Sequence, residues 1–163
     1  MVKSLARPGG NITGLSTITG ELIPKRLELL LAMVPKVSRV AVLIRISASQ
    51  TGSKNLATVQ AAGKQRGVTI LPVEAQTPQE IDAAFAAMRQ QKAGALLVFL
   101  NPFFQQQRSQ IAALAAKQRL PSMTADRVYA EAGCLMSYGA SLADSTYRAA
   151  TYVDKIFKGA KPA

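Results

Sequence analysis

Apolar positions along this chain follow two rhythms, and the two alternate. Five short runs are apolar at most positions: SRVAVLI at 38–44, VTILPVEA at 68–75, ALLVFL at 95–100, LPSMTA at 120–125 and CLMSYG at 134–139. Runs of this length and density predict strands covered on both faces. Between them the apolar residues fall at helical spacing. Leu27, Leu30, Leu31 and Val34 make a stripe that opens near Pro24 and stops at Pro35. Leu56, Val59 and Ala62 mark a second helix over 51–66, closed by Gly67. A third opens with Thr77 as N-cap, Pro78 at its first position and Glu80 in its first turn, turning Ile81, Ala84, Phe85 and Met88 inward. Ile111, Leu114 and Ala115 predict one helix over 103–119, and a short helical turn is expected near 127–131. A last helix runs from Leu142 to Lys158, with Tyr147, Ala150, Val153 and Phe157 at helical spacing and Gly159 after it. Residues 1–20, rich in Gly, Thr and Ser, read as a connector with one short strand at Gly14–Ile18.

Strands separated by helices need parallel crossovers, and right-handed crossovers wind the chain both ways from the first strand. The expected fold is α/β: a doubly wound, mainly parallel five-stranded sheet with helices on both faces. Ligands of such sheets sit beyond the carboxyl ends of the strands. Four of the five runs end there in a polar or aromatic group: Arg45, then Asn101-Pro102-Phe103-Phe104, then Asp126, then Tyr138-Gly139. These four should share one rim.

Composition narrows what that rim does. At 163 residues the chain suits one domain, and 48% apolar content is enough for a core. There is no histidine and one cysteine, Cys134, so an internal disulfide is impossible and zinc, haem and Ser-His sites lose their main residue. Cys134 reads as a buried structural thiol. The net charge of +11 is spread over helix faces and last turns, as in Lys25-Arg26, Lys54/Lys64/Arg66 and Lys155/Lys158/Lys161. Without basic clusters interleaved by aromatics, it reads as a solvated surface and not as a nucleic-acid site. No apolar stretch is long enough for a membrane span, and MVKSLARPGG has no hydrophobic signal region, so no signal peptide is expected in this chain.

Motifs of chemistry are missing. After the first strand stands RISASQTG, not a dinucleotide fingerprint. A phosphorylation receiver needs acids where Arg45 and Asn101 stand, and no G-x-S-x-G elbow occurs. Asp126 and Glu131 fall in one loop, but two carboxylates alone define no acid–base pair. No catalytic residue, metal ligand or cofactor is expected. A binding site asks for less: ring surface from Phe103, Phe104 and Tyr138, hydrogen bonds from Ser47, Ser49, Asn101, Asp126 and Arg127, and Gly139 for close approach. Each also has a structural role open to it. One of Phe103 and Phe104 packs on the sheet, Asn101 caps the helix behind it, Asp126 and Arg127 pair locally, Tyr138-Gly139 makes a turn, and Arg45 is a solvated charge.

The segments ARPGGNITGLS, KRLELL…VPKVSRVAVL, AGALLVFLNPFF, EAGCLMSYGAS and YRAATYVDKIFKGAKPA together resemble the ABC-transporter substrate-binding protein family related to tryptophan and tyrosine uptake proteins. The resemblance covers essentially the whole chain. It implies a type I periplasmic binding protein, in which two α/β lobes joined by a hinge hold ligand between them. This chain then corresponds to the second lobe: residues 1–20 an inter-lobe connector, 21–159 the ligand-binding lobe, 160–163 the start of the return crossing. The implied function is solute binding, of an amino acid for example, without chemistry. The implied partners are the ligand, the missing first lobe and a membrane permease, with self-association of an isolated lobe through exposed apolar surface. The implied place is the periplasm or a lipid anchor outside the inner membrane. Second-lobe contacts would fall on the loop after the first strand, Asn101 to Phe103, Asp126-Arg127 and Ser137-Tyr138-Gly139. Relatives often carry an Asn-Pro type turn after the first strand; here Arg45-Ile46-Ser47 stands there and hints at an anionic group met by Arg45. A small-molecule enzyme or a regulatory sensor on the same fold are the competing readings.

Overall fold

A computed structural model describes residues 4, 9–16, 20–45 and 50–162, without the side chains of 50, 51 and 142. Helix α1 (Ile23–Met33) leads into strand β1 (Arg39–Ile44), α2 (Gln50–Gln65) and β2 (Thr69–Glu74). Then come α3 (Pro78–Gln90), β3 (Ala95–Val98), α4 (Pro102–Gln106), α5 (Arg108–Lys117), β4 (Ser122–Thr124), α6 (Arg127–Glu131), β5 (Met136–Ser137) and α7 (Leu142–Phe157). The five strands form one sheet in the order β2-β1-β3-β4-β5. Every neighbouring pair is parallel. The expected doubly wound α/β fold is therefore present.

The sheet is buried on both faces because its central strands supply apolar residues at both parities. Ala41, Leu43, Leu96 and Val98 pack with Ile81, Phe85 and Met88 of α3 and Ile111 and Ala115 of α5. Their neighbours Val40, Val42, Ile44, Ala95 and Leu97 pack on the other face with Ile23, Leu27 and Leu30 of α1 and Val59 and Ala62 of α2. Gly67, with φ of 67°, stops α2 in the left-handed region as its position implied. At the start of α3, the Thr77 hydroxyl accepts from the Glu80 N–H at 3.3 Å while the Glu80 carboxylate accepts from the Gln76 N–H at 2.8 Å. One first-turn donor and one just ahead of the cap are thus satisfied by neighbouring side chains.

The sheet edges are unlike its centre. β2 carries Pro72 opposite Val42. The N–H groups of Thr69 and Ala75 donate to Ser38, just before β1, and to Ile44 at its end, at 2.8 and 3.2 Å. At the other edge, the run expected over 134–139 pairs only at Met136 and Ser137.

Three further expectations need correction. The helix over 103–119 is two helices, α4 and α5, broken at Gln107, which caps both. Residues 14–16 of the expected strand have no regular structure, and 17–18 lie outside the described residues. Tyr147, Ala150, Val153 and Phe157 of α7 are all exposed, Phe157 to 85%. Contacts group the chain into Thr19–Gly139 and a smaller unit of Met1–Ile18 with Ala140–Ala163. α7 falls in the smaller one.

Candidate functional site

Parallel strands put all their carboxyl ends on one side, so Arg45, Asn101, Asp126 and Tyr138 follow β1, β3, β4 and β5 at the same rim. All four belong to the larger unit. They are not equally available there.

Asn101 is the N-cap of α4, and its side-chain oxygen accepts from the Phe103 N–H at 2.9 Å. Asp126 does the same for α6, accepting from the Val128 N–H at 3.2 Å. Its other oxygen accepts from the Gln105 amide at 3.3 Å, and the residue is only 8% exposed. Both groups are engaged in satisfying helix starts that otherwise leave bare donors. Arg127 is exposed and pairs with Glu131 one turn on, at 2.8 Å. A pair this solvated contributes little stability.

What faces outward is a smaller set. Phe104 is fully buried in the core, and its ring meets Phe103 at 5.5 Å with a 49° tilt. Phe103 stays half-buried at the mouth. The Arg45 guanidinium carbon lies 5.2 Å from the centre of the Phe103 ring, within cation–π range. Leu100 and Tyr138 are 49% and 41% exposed. Ser137 is half-buried and pairs with Thr124. Ser47 and Ser49 lie outside the described residues.

Tyr138 and Gly139 are held from beneath. The Tyr138 N–H donates to the Thr124 carbonyl at 3.0 Å, and the Tyr138 carbonyl accepts from Nε of Arg26 at 2.7 Å. A Cβ on Gly139 would overlap the Ala125 carbonyl oxygen. The glycine is thus required by the end of β4, a reason different from the ligand approach expected of it.

Arg26, grouped with Lys25 in the solvated basic surface expected from sequence, is instead buried. It is 4% exposed on α1, and burial pushes its guanidinium pKa down. The signal was there: Ile23, Arg26, Leu27 and Leu30 are the buried residues of α1, at helical spacing.

The Cys134 thiol is 5% exposed and burial pushes it up, so it is the packing group expected. The Tyr129 phenol is 1% exposed, and burial raises its pKa as well. Two hollows, of 390 Å³ beside Arg89 and Lys117 and 270 Å³ beside Arg119 and Ser122, lie at the opposite end of the strands.

Over residues 1–163 the sequence matches the family described as ABC transporter substrate binding protein. The chain belongs to that family. As a member of the substrate-binding protein family, it superposes on a conserved domain protein from Vibrio cholerae with a TM-score of 0.82 and 21% identity, over 99% of this chain and 53% of that one. It superposes on an ABC domain in complex with L-Trp from Streptococcus pneumoniae with a TM-score of 0.77 and 23% identity, over 99% and 55%. A ligand-free, open substrate-binding protein with adhesive properties from Clostridium difficile gives 0.68 and 20%, over 99% and 53%. These likenesses concern the fold, which is that of one lobe of a periplasmic binding protein. The substrate-binding protein spans about half the length of the solved structures it matches. No curated protein matches it.

Proposed function

We propose that this chain is the second lobe of the solute-binding component of an ABC-type importer. It binds a small molecule bearing a carboxylate and an apolar body, such as an amino acid, in a cleft completed by a first lobe. The observation that carries the reading is the arrangement of Arg45 on the Phe103 ring, with Leu100 and Tyr138 exposed at the same rim. Ring surface and aliphatic surface offer an apolar body its contact, and a guanidinium suits a planar carboxylate. Family membership supports transport. The L-Trp named for the Streptococcus pneumoniae structure supports the amino-acid class.

Binding proceeds without chemistry. Asp126 is occupied as a helix cap, Glu131 is paired with Arg127, and the Cys134 thiol is buried. These engagements support a binding role over a catalytic one. Solute enters between open lobes, touches both, and favours the closed form by that added contact. A membrane permease reads the closed form. The protein works in the periplasm or tethered outside the inner membrane. Alone, the lobe presents unpartnered apolar surface and self-associates.

The test is calorimetric titration of the chain, and of the chain joined to the sequence that flanks it in its gene, with L-tryptophan, L-tyrosine and L-leucine. Tryptamine and tyramine, which lack the carboxylate, serve as controls. Binding of an amino acid but not of its amine, lost in Arg45→Gln, supports the reading. Equal binding of acid and amine, or none by either protein, sinks it.

A further inference from the structure

We infer that Arg26 is a positioning residue: from beneath the sheet it clamps the turn at 137–139 and so fixes where Tyr138 stands at the rim. The inference rests on the solute-binding reading only for the use made of Tyr138.

A cation in this place needs a reason. Arg26 is one of four buried residues of α1, among Ile23, Leu27 and Leu30. Replacing a buried ion by a well-packed apolar side chain of similar size is often neutral or stabilising, so packing alone favours leucine or methionine here. What an arginine adds is a fixed planar donor. Its Nε donates to the Tyr138 carbonyl at 2.7 Å, across 112 residues of sequence.

The turn has few other restraints. β5 is an edge strand of two residues, and Tyr138 lies just past its end. Its N–H is taken by Thr124 and its carbonyl by Arg26, so the peptide groups on both sides of Tyr138 are held. Gly139 then passes directly over the Ala125 carbonyl, where no side chain fits, and the site of its missing Cβ is 3.4 Å from a terminal nitrogen of Arg26. One guanidinium therefore spans both residues of the turn. With its backbone held on the α1 side, Tyr138 is left 41% exposed.

The test needs no ligand, so it stands or falls apart from the transport reading. Amide hydrogen exchange is followed in the chain and in Arg26→Met, which keeps length and apolar stem but no donor, and in Arg26→Lys, which keeps a donor. A hydrogen bond from a charged donor corresponds to roughly a 10- to 100-fold change in a local equilibrium. In Arg26→Met the Tyr138 amide should exchange faster by about that factor while amides of β1 and β3 hold, and Arg26→Lys should recover part of the protection. A 3-fluorotyrosine label at position 138 should give one sharp resonance in the parent chain and a shifted, broadened one in Arg26→Met. Unchanged exchange at Tyr138 with an unchanged fluorine signal would overturn the inference. Should Arg26→Met fail to fold, the Arg26 Nε proton of the parent chain decides: slow exchange with solvent upholds the clamp, and free exchange refutes it.

Discussion

The guanidinium of Arg45 lies 5.2 Å from the centre of the Phe103 ring, bridging the ends of β1 and β3. Arg45 is exposed, so the contact adds only about 0.5–1 kcal/mol to stability. In the proposed function its larger role is to hold a charge ready for a solute. Arg45→Gln should therefore lower unfolding free energy by no more than about 1 kcal/mol in urea. The same change should weaken carboxylate binding by roughly 10- to 100-fold in calorimetry. A large stability loss without a binding loss would reverse those roles.

Asp126 makes the opposite prediction. It is a buried cap that also holds Gln105, so Asp126→Ala should cost about 1–2 kcal/mol of stability. Asp126→Asn keeps an accepting oxygen and should recover most of that. Urea melts of the pair will distinguish a cap from a ligand contact, which would spare stability and reduce solute affinity.

Gly139→Ala places a methyl group against the Ala125 carbonyl. Overpacking of this kind costs roughly 1–3 kcal/mol, or on the order of 3–10 °C in Tm for a chain of this size. A melting temperature within a degree of the parent would show that the 137–139 turn moves aside freely.

Tyr129 carries the pH prediction. Its hydroxyl is buried and meets no hydrogen-bond partner among the described residues. Tyr129→Phe should therefore keep or gain stability, by up to about 1 kcal/mol. Burial raises the folded-state phenol pKa above the unfolded value near 10. The folded form thus holds its proton more tightly: the contribution is constant below about pH 10 and is lost as pH rises beyond it, once the unfolded chain alone releases the proton. Urea melts between pH 9 and 11 should show a shallower alkaline decline in Tyr129→Phe than in the parent.

The order of elements was legible because period and run length agreed: β1 and β3 are apolar at both parities, and their residues divide between two cores. The rim followed from parallel strands alone. Local accommodation was not legible. Gln107 has no helix-breaking chemistry, yet the chain breaks there between α4 and α5. CLMSYG has the composition of a strand, but at a sheet edge only Met136 and Ser137 are in register with β4. Asn101 was readable as cap or ligand, and Asp126 as a ligand contact or the partner of Arg127; the hydrogen bonds to Phe103 and Val128 show both as caps, and Arg127 pairs with Glu131 instead. The stripe Tyr147, Ala150, Val153 and Phe157 has core spacing but no core over it. Periodicity reports a face and not what covers it.

Pro72 sits where β2 has no neighbour on one side. Thr69 and Ala75 turn their N–H groups toward β1, so the two-residue period turns the Pro72 nitrogen outward. An approaching strand from another molecule would meet a position without a proton to donate, in the middle of the row it needs. The opposite edge ends after two residues and offers too short a template. Both features disfavour fibril-like strand addition at the sheet edges. Pro72→Thr, which restores the missing donor, should shorten the lag of aggregation measured by light scattering.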